Sequence, residues 1–221
     1  ITTPEDQHQF RRLLGDGSTW GCRFTYLSQP KPEGLAQAFI IAEEFLDGAP
    51  SALVLGDNIF FGHDLPVKLA AANARQTGGT IFGYHVSDPE RYGVLGFDAD
   101  GKLATIIEKP DKPASDYAVT GLYFLDHRAP ELAKQVKPSN RGELEITSLL
   151  ELYLAQGGLS VEFLGRGFAW LDTGTHDSLL DAGNFVRTLQ TRQGVQVGCL
   201  EEIAHGQGWI SDENLSRQAM V

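Results

Sequence analysis

Four consecutive apolar residues, Ala52-Leu53-Val54-Leu55, run without alternation into Gly56-Asp57-Asn58. An uninterrupted run of that length reads as a strand buried on both faces, the kind found in a mostly parallel α/β sheet. The polarity then reverses abruptly: Gly56 permits a sharp exit, and Asp57 and Asn58 stand at the carboxyl end of the strand. Open α/β sheets bind ligands in the crevice beyond that end. An acid placed there can hold a hard cation against a phosphate. The same two residues can equally make a turn or cap the next segment.

The surrounding pattern supports an α/β chain. Leu35, Ala38, Phe39, Ala42, Phe45 and Leu46 form one continuous helical face ahead of the strand. A helix over 64–76 follows, stopped by Gly78-Gly79, then a strand over 80–86. Strands at 94–97 and 103–108 flank Asp98-Ala99-Asp100-Gly101, a hairpin signal. Further strands are expected at 23–27, 117–125, 159–164 and 168–171. Helices are expected at 5–14 (with Phe10, Leu13 and Leu14 as its apolar stripe), 129–136, 142–156 and 175–193, with short helical pieces beyond. Strands alternating with helices, then hairpin-like strands, predict a mixed, mainly parallel sheet with helices on both faces.

Composition narrows the function classes. The 221 residues carry a net charge of −11, which disfavours a general nucleic-acid surface. A local metal and a few cations still leave room for a nucleotide site. No apolar run approaches the roughly 18 residues of a membrane span. No signal-peptide pattern opens the chain, so cytoplasm is the expected location. Cys22 and Cys199 fit no metal spacing and read as reduced packing residues. The opening Ile1-Thr2-Thr3-Pro4 looks like the tail of a strand followed by a helix start, with Thr3 as N-cap. It raises the expectation of a longer parent protein.

Several polar groups could carry chemistry. Trp170-Leu171-Asp172-Thr173-Gly174 repeats the strand-acid-glycine pattern, so Asp172 is either a second carboxylate on one Mg²⁺ or, with Thr173, a helix cap. In Glu108-Lys109-Pro110, the proline is expected to hold Lys109 extended. That lysine could anchor a phosphate as a point charge, or form a solvated pair with its neighbour. Gln29-Pro30 and Gly34 precede a helix start, where N–H groups suit an anionic or carbonyl-rich ligand and Gln29 suits a base edge. Arg91-Tyr92-Gly93 is a polar loop. Arg141, ahead of Glu143 and Glu145, could pair with phosphate. The histidines form no ligand spacing, and there is no Walker-type loop, Ser-His-Asp or Cys-His pattern.

Taken in order, Gln29-Pro30 through Gly34-Leu35-Ala36-Gln37-Ala38, Leu55-Gly56-Asp57-Asn58, Glu90-Arg91-Tyr92-Gly93-Val94, Glu108-Lys109-Pro110, Ala118-Val119-Thr120-Gly121-Leu122-Tyr123, Arg141-Gly142-Glu143-Leu144-Glu145 and Trp170-Leu171-Asp172-Thr173-Gly174 resemble the bacterial glucose-1-phosphate thymidylyltransferases. The resemblance runs over nearly the whole chain and lies in the combination. It implies a Rossmann-like nucleotidyltransferase fold, Mg²⁺ as cofactor, and reaction of dTTP with glucose 1-phosphate to give dTDP-glucose and pyrophosphate, the entry to dTDP-rhamnose and related polysaccharide sugars. It implies Asp57 and Asp172 as metal ligands, with Lys109 catalytic beside them. Gln29, Pro30, Gly34, Asp57 and Asn58 would serve the nucleotide; Tyr92, Gly93, Glu108, Lys109, Val119 and Arg141 would serve the sugar phosphate. A homotetramer inhibited by dTDP-rhamnose is the corresponding expectation for assembly and regulation.

The family's first strand and its glycine-rich loop with an Arg and a following Lys, which hold the triphosphate, have no counterpart here. The resemblance therefore implies an incomplete nucleotidyltransferase core over 1–198 and a C-terminal helical extension over 199–221, with impaired grip on dTTP. Two other readings stay open at this stage: a non-catalytic nucleotide-sugar-binding or assembly subunit of the same fold, and a related uridylyl- or cytidylyltransferase.

Overall fold

The computed structural model describes residues 1–219. The chain divides into two compact units, one made of Ile1–Lys31 with Leu180–Val221, the other of Pro32–Leu179. Eight strands are named among the described residues: β1 (Ser51–Val54), β2 (Asn58–Gly62), β3 (Gly79–His85), β4 (Gly93–Phe97), β5 (Leu103–Glu108), β6 (Tyr117–Leu125), β7 (Leu159–Leu164) and β8 (Phe168–Asp172). The helices are α1 (Gln7–Leu14), α2 (Gln37–Ile41), α3 (Glu43–Leu46), α4 (Leu65–Ala74), α5 (Ala129–Ala133), α6 (Ile146–Ala155), α7 (His176–Gln193), α8 (Leu200–Gly206) and α9 (Asp212–Gln218).

In the second unit, six strands form one sheet in the order β5-β4-β6-β3-β7, with β1 also on β6. β6 organises it. β3 pairs along nearly its whole length, while β4 at Ala118 and β1 at Leu122–Leu125 share its other side. The sheet is mixed, as expected, but not mainly parallel. Only β3–β7 runs parallel; β1–β6, β3–β6, β4–β5 and β4–β6 are antiparallel. For β4 and β5 the cause is local: the Asp98–Gly101 turn closes one onto the other, with the Asp98 carboxylate accepting from the N–H groups of Asp100 and Lys102, and a tight hairpin can join only antiparallel strands.

Alternation along the central strands sorts side chains to two faces. Ile81 and Tyr123 enter a core with Phe39, Leu132, Leu149, Leu150 and Tyr153, under α2, α5 and α6. Phe82 and Leu122 enter a second cluster with Ala72, Leu69 and Phe60, under α4 and β2. Helices on both faces are therefore present. α6 shows why it lies where it does: Ile146, Leu149, Leu150 and Tyr153 recur at helical spacing and all are buried.

Other expectations change as well, and the helical face expected over 35–46 is split between α2 and α3 at Ala42. β1 is not buried on both faces; its residues alternate half-buried and exposed, and Val54 is 58% exposed. It reaches the sheet only through β6, so it is an edge strand among the described residues. The helix expected from Gly142 begins at Ile146, because Gly142 takes φ +79° and the loop closes on itself through Ser139 N–H to Glu143 O and Gly142 N–H to Ser139 O. The apolar stripe of the first helix does not form a core: α1 buries no residue, and Leu13 is 74% exposed.

In the first unit, residues 23–27 form no strand; a single parallel bridge links Thr2 to Ser28. The expected cap at Thr3 is partly realised: its hydroxyl accepts from the Asp6 N–H, although the helix begins at Gln7. Trp20 Nε1–H donates to Glu201, and Gln218 donates to the Thr19 carbonyl, tying the first turn region to α8 and α9. Cys22 and Cys199 are free thiols. No described helix is long and apolar enough to cross a membrane.

Candidate active site

β2 is the element that sequence patterning missed, and it builds the site. Its residues 58–62 pair antiparallel with β8, Asn58 opposite Asp172 and Phe60 opposite Trp170. A short run such as Ile59-Phe60-Phe61 gives no periodicity that separates a strand from a loop. The pairing brings the two distant strand ends together. Thr173 donates from both its N–H (2.9 Å) and its hydroxyl (3.0 Å) to the Asp57 carbonyl. Asp57 and Asp172 thus stand side by side on one cavity.

That cavity, about 510 Å³, is lined wholly by residues of the second unit, including Asp57, Asn58, Tyr92, Gly93, Glu108, Lys109, Val119 and Asp172. A larger hollow of about 730 Å³, between the β4–β5 hairpin, α6 and β7, contains none of these groups.

Asn58 fixes the cavity floor. Its carbonyl oxygen accepts from Trp170 Nε1–H (2.7 Å) and from the Gly121 N–H (3.1 Å), which sets the amide orientation. Its NH₂ then donates to Asp57 at 2.8 Å. Asp172 is held in turn: the Gly174 N–H donates to Oδ1 at 2.8 Å, and Arg91 approaches Oδ2 at 3.6 Å. Arg91 also pairs with Asp88 and lies over the Tyr92 ring. Burial, then the Asp172 carboxylate, pushes the Tyr92 hydroxyl up to about 12, so it stays a neutral donor at physiological pH. Its ring packs on Trp170 with centroids 5.1 Å apart.

The opposite wall comes from the ends of β4 and β5. Gly93 pairs with Glu108, and a Cβ on Gly93 would press on Thr147 and on the Glu108 carboxylate. Glycine is therefore what lets α6 and Glu108 close on this strand. Burial raises Glu108 above the ordinary carboxylate range, reinforced by Glu145 and opposed by Arg141 and Lys109. Lys109 corrects the expectation of an extended backbone: it has φ +42°, although proline follows. Its N–H donates to the Tyr92 carbonyl at 2.9 Å, carrying the β4–β5 pairing one residue further. That registration holds a backbone that costs about 1–3 kcal/mol in a non-glycine residue.

Arg141 lines an adjoining hollow of about 370 Å³ that shares Glu108, Lys109 and Thr147 with the main one. Gly34 has φ +101°, and a Cβ there would collide with the backbone of Leu144; the next residue, Leu35, is the one on the cavity wall. Gln29 and Pro30 belong to the first unit, where the Gln29 N–H donates to the Thr2 carbonyl. Sequence reasoning passed over Thr147 and treated Arg91 and Trp170 only as parts of longer motifs; all three line the cavity. Thr147 left one signal, a polar residue on the inward side of an apolar helix.

Two carboxylates with adjoining phosphate-sized space fit a Mg²⁺ site, because Mg²⁺ commonly takes one or two carboxylates and completes its shell with water and substrate phosphates. No group of three or more His, Cys, Asp or Glu able to hold a metal occurs among the described residues.

Residues 1–188 match the family model described as nucleotidyl transferase. The chain is 59% identical over 219 residues to the glucose-1-phosphate thymidylyltransferase of Xanthomonas campestris pv. campestris, covering 99% of this chain and 74% of the relative. It is 56% identical to that of Neisseria meningitidis, with 99% and 76% covered. Among solved structures, a Bacillus anthracis protein proposed to be a glucose-1-phosphate thymidylyltransferase, in complex with a sucrose, superimposes with TM-score 0.75 at 38% identity over 85% of this chain and 74% of that one. A UDP-glucose pyrophosphorylase complexed with UDP-glucose shares the fold at TM-score 0.67 and 23% identity, over 76% and 67% of the two chains. With its family model covering most of the chain and its acids, lysine and glycines gathered on one cavity, the protein belongs to the nucleotidyl transferase family.

Proposed function

We propose that this protein transfers a thymidylyl group from dTTP to glucose 1-phosphate, giving dTDP-glucose and pyrophosphate. The observation that carries the reading is the gathering of Asp57, Asp172, Tyr92, Gly93, Glu108, Lys109 and Val119 on one cavity, in a chain 59% identical to a named thymidylyltransferase. In the reaction a phosphate oxygen of the sugar phosphate bonds to the α-phosphorus of dTTP. The bond from that phosphorus to the bridging oxygen breaks, and pyrophosphate leaves with the electron pair. No covalent enzyme intermediate is required.

Both reactants are polyanions, so the chain must hold like charges together. Asp57 and Asp172 would hold Mg²⁺, which when bound screens that repulsion and steadies charge developing in line. Lys109 fixes the attacking phosphate as a point charge, and Arg141 adds a planar donor beside Glu108. Positioning of this kind supplies a large part of a displacement's rate. Glu108 accepts hydrogen bonds from sugar hydroxyls, which separates a hexose phosphate from phosphate alone. Tyr92 stays protonated and can donate.

The test, run with the family's first strand and glycine-rich loop supplied ahead of residue 1, is pyrophosphate release from dTTP, glucose 1-phosphate and Mg²⁺, with melting followed in dTDP-glucose. Turnover with dTTP ahead of UTP and CTP, and stabilisation by dTDP-glucose, are expected. Stabilisation without turnover would favour a non-catalytic binding subunit, and preference for UTP would replace the base assignment. Asp57→Asn and Asp172→Asn are each expected to lower Mg²⁺-dependent turnover by at least about 10²-fold; near-normal rates in either variant would remove the metal assignment.

A further inference from the structure

Glu145 lies behind the cavity wall and not on the main cavity, yet it is among the most heavily bonded carboxylates in the chain. It is 7% exposed and stands at the N-cap of α6, where it makes no cap bond to the helix. A short acid such as Asp at that position ordinarily accepts from the free N–H groups of its own helix. This one turns away. Its Oε1 accepts from Ser139 Oγ (2.6 Å), Arg141 Nε (3.2 Å) and Arg141 Nη2 (2.9 Å), and its Oε2 accepts from the same Nη2 (2.9 Å).

The ring of contacts is closed around one arginine. Ser139 Oγ also accepts from the Arg141 backbone N–H at 3.2 Å. The guanidinium then faces Glu108 at 3.6 Å and Glu143 at 3.7 Å. Glu108 borders both the main cavity and the smaller one, as do Lys109 and Thr147. A buried ion pair is weak evidence of stabilisation in itself, since apolar residues of similar volume often serve the fold as well. What a carboxylate gripping the Nε–Nη2 edge of a guanidinium does supply is a fixed plane and direction.

We propose that Glu145 is a positioning residue: it holds Arg141 at the Glu108 edge of the cavity, ready to receive the phosphate of the sugar phosphate. The inference rests on the sugar-phosphate reading above. The side chain that touches substrate is Arg141; Glu145 acts through it.

The experiment is a double-mutant cycle of Glu145→Gln and Arg141→Gln. It reads KM for glucose 1-phosphate, KM for Mg-dTTP, kcat, and the rise in melting temperature caused by inorganic phosphate. Glu145→Gln keeps the side chain's shape and removes its charge. It should raise KM for glucose 1-phosphate about tenfold and leave KM for Mg-dTTP within about twofold. In the Arg141→Gln background it should add nothing further. Glu145→Asp, which keeps the charge, should recover part of the loss and guards against a Gln variant that fails to fold. Full additivity with Arg141→Gln, or equal loss for both substrates, would overturn the proposal. A fall in melting temperature with unchanged sugar-phosphate KM would overturn it too. If the wild-type chain, with the family's glycine-rich loop supplied, does not turn over dTTP, the function is what fails; the phosphate-induced stabilisation still tests Glu145, which is refuted if Glu145→Gln leaves that stabilisation intact.

Discussion

Lys109 combines two demands that ordinary residues meet separately. Its ammonium belongs to the cavity, and its backbone sits at φ +42° immediately before a proline. The left-handed region suits glycine and is strained for a lysine, so the side chain's chemistry is retained against a conformational cost. Paired substitutions separate the two. Lys109→Ala removes the ammonium and keeps the strain; Lys109→Gly removes both. At most positions glycine is the less stable of that pair, whereas here Lys109→Gly should exceed Lys109→Ala by about 1 kcal/mol in urea unfolding. Both should lose turnover. The ordinary order of stability would mean that Lys109 is not strained. Strain of this kind is invisible in the sequence: Pro110 argued for an extended Lys109, and only the bond to the Tyr92 carbonyl shows what overrides it. Asp57, Asp172 and Glu108 were legible because their residue types sit at strand ends, whereas Gly93 entered only through the resemblance. Thr147 was not, since its place in the cavity depends on how closely α6 approaches Gly93.

Asp126 joins four elements at the far end of β6. It is 3% exposed and accepts from the Gly78 N–H at 2.6 Å, from Tyr153 of α6 at 3.0 Å and from Arg128, which leads into α5. Burial pushes this carboxyl up, but the bonds from Arg128, from backbone N–H groups and from Tyr153 outweigh it and hold it at about 2. A folded-state value below the ordinary 3.8 means stability that is present above that pH and lost as pH falls towards about 2. Asp126→Asn should therefore cost on the order of 2 kcal/mol near neutrality and flatten the decline in urea midpoint between about pH 4 and pH 2. Wild-type and variant curves running parallel through that range would refute the linkage. At this scale the sequence was a good guide wherever an element packs through its own periodicity. β6 and β7 fall at the expected 117–125 and 159–164, and α6 buries its helical stripe. It failed where a partner decides: β2 exists through β8, and the antiparallel sense of β1 comes from β6.

The chain carries 29 acidic and 18 basic residues, a net charge of −11, and by the proposed reaction it must capture two polyanions. The two scales of electrostatics therefore oppose each other. In that reading Lys109 and Arg141 would attract phosphate over a few ångströms, while the summed field repels it at longer range. Added salt acts on these unequally. The Debye length falls from about 30 Å at 0.01 M to about 10 Å at 0.1 M, so distant repulsion is screened first and contacts at the cavity wall last. At fixed free Mg²⁺, kcat/KM for glucose 1-phosphate should rise roughly two- to fivefold as KCl goes from about 10 mM to about 100 mM, then level off. An enzyme that steers its anionic substrate by a basic surface would show the reverse. A monotonic fall over that interval would mean that the local cations govern encounter despite the acidic whole, and the capture step would then have to be assigned to Lys109 and Arg141 from the first approach.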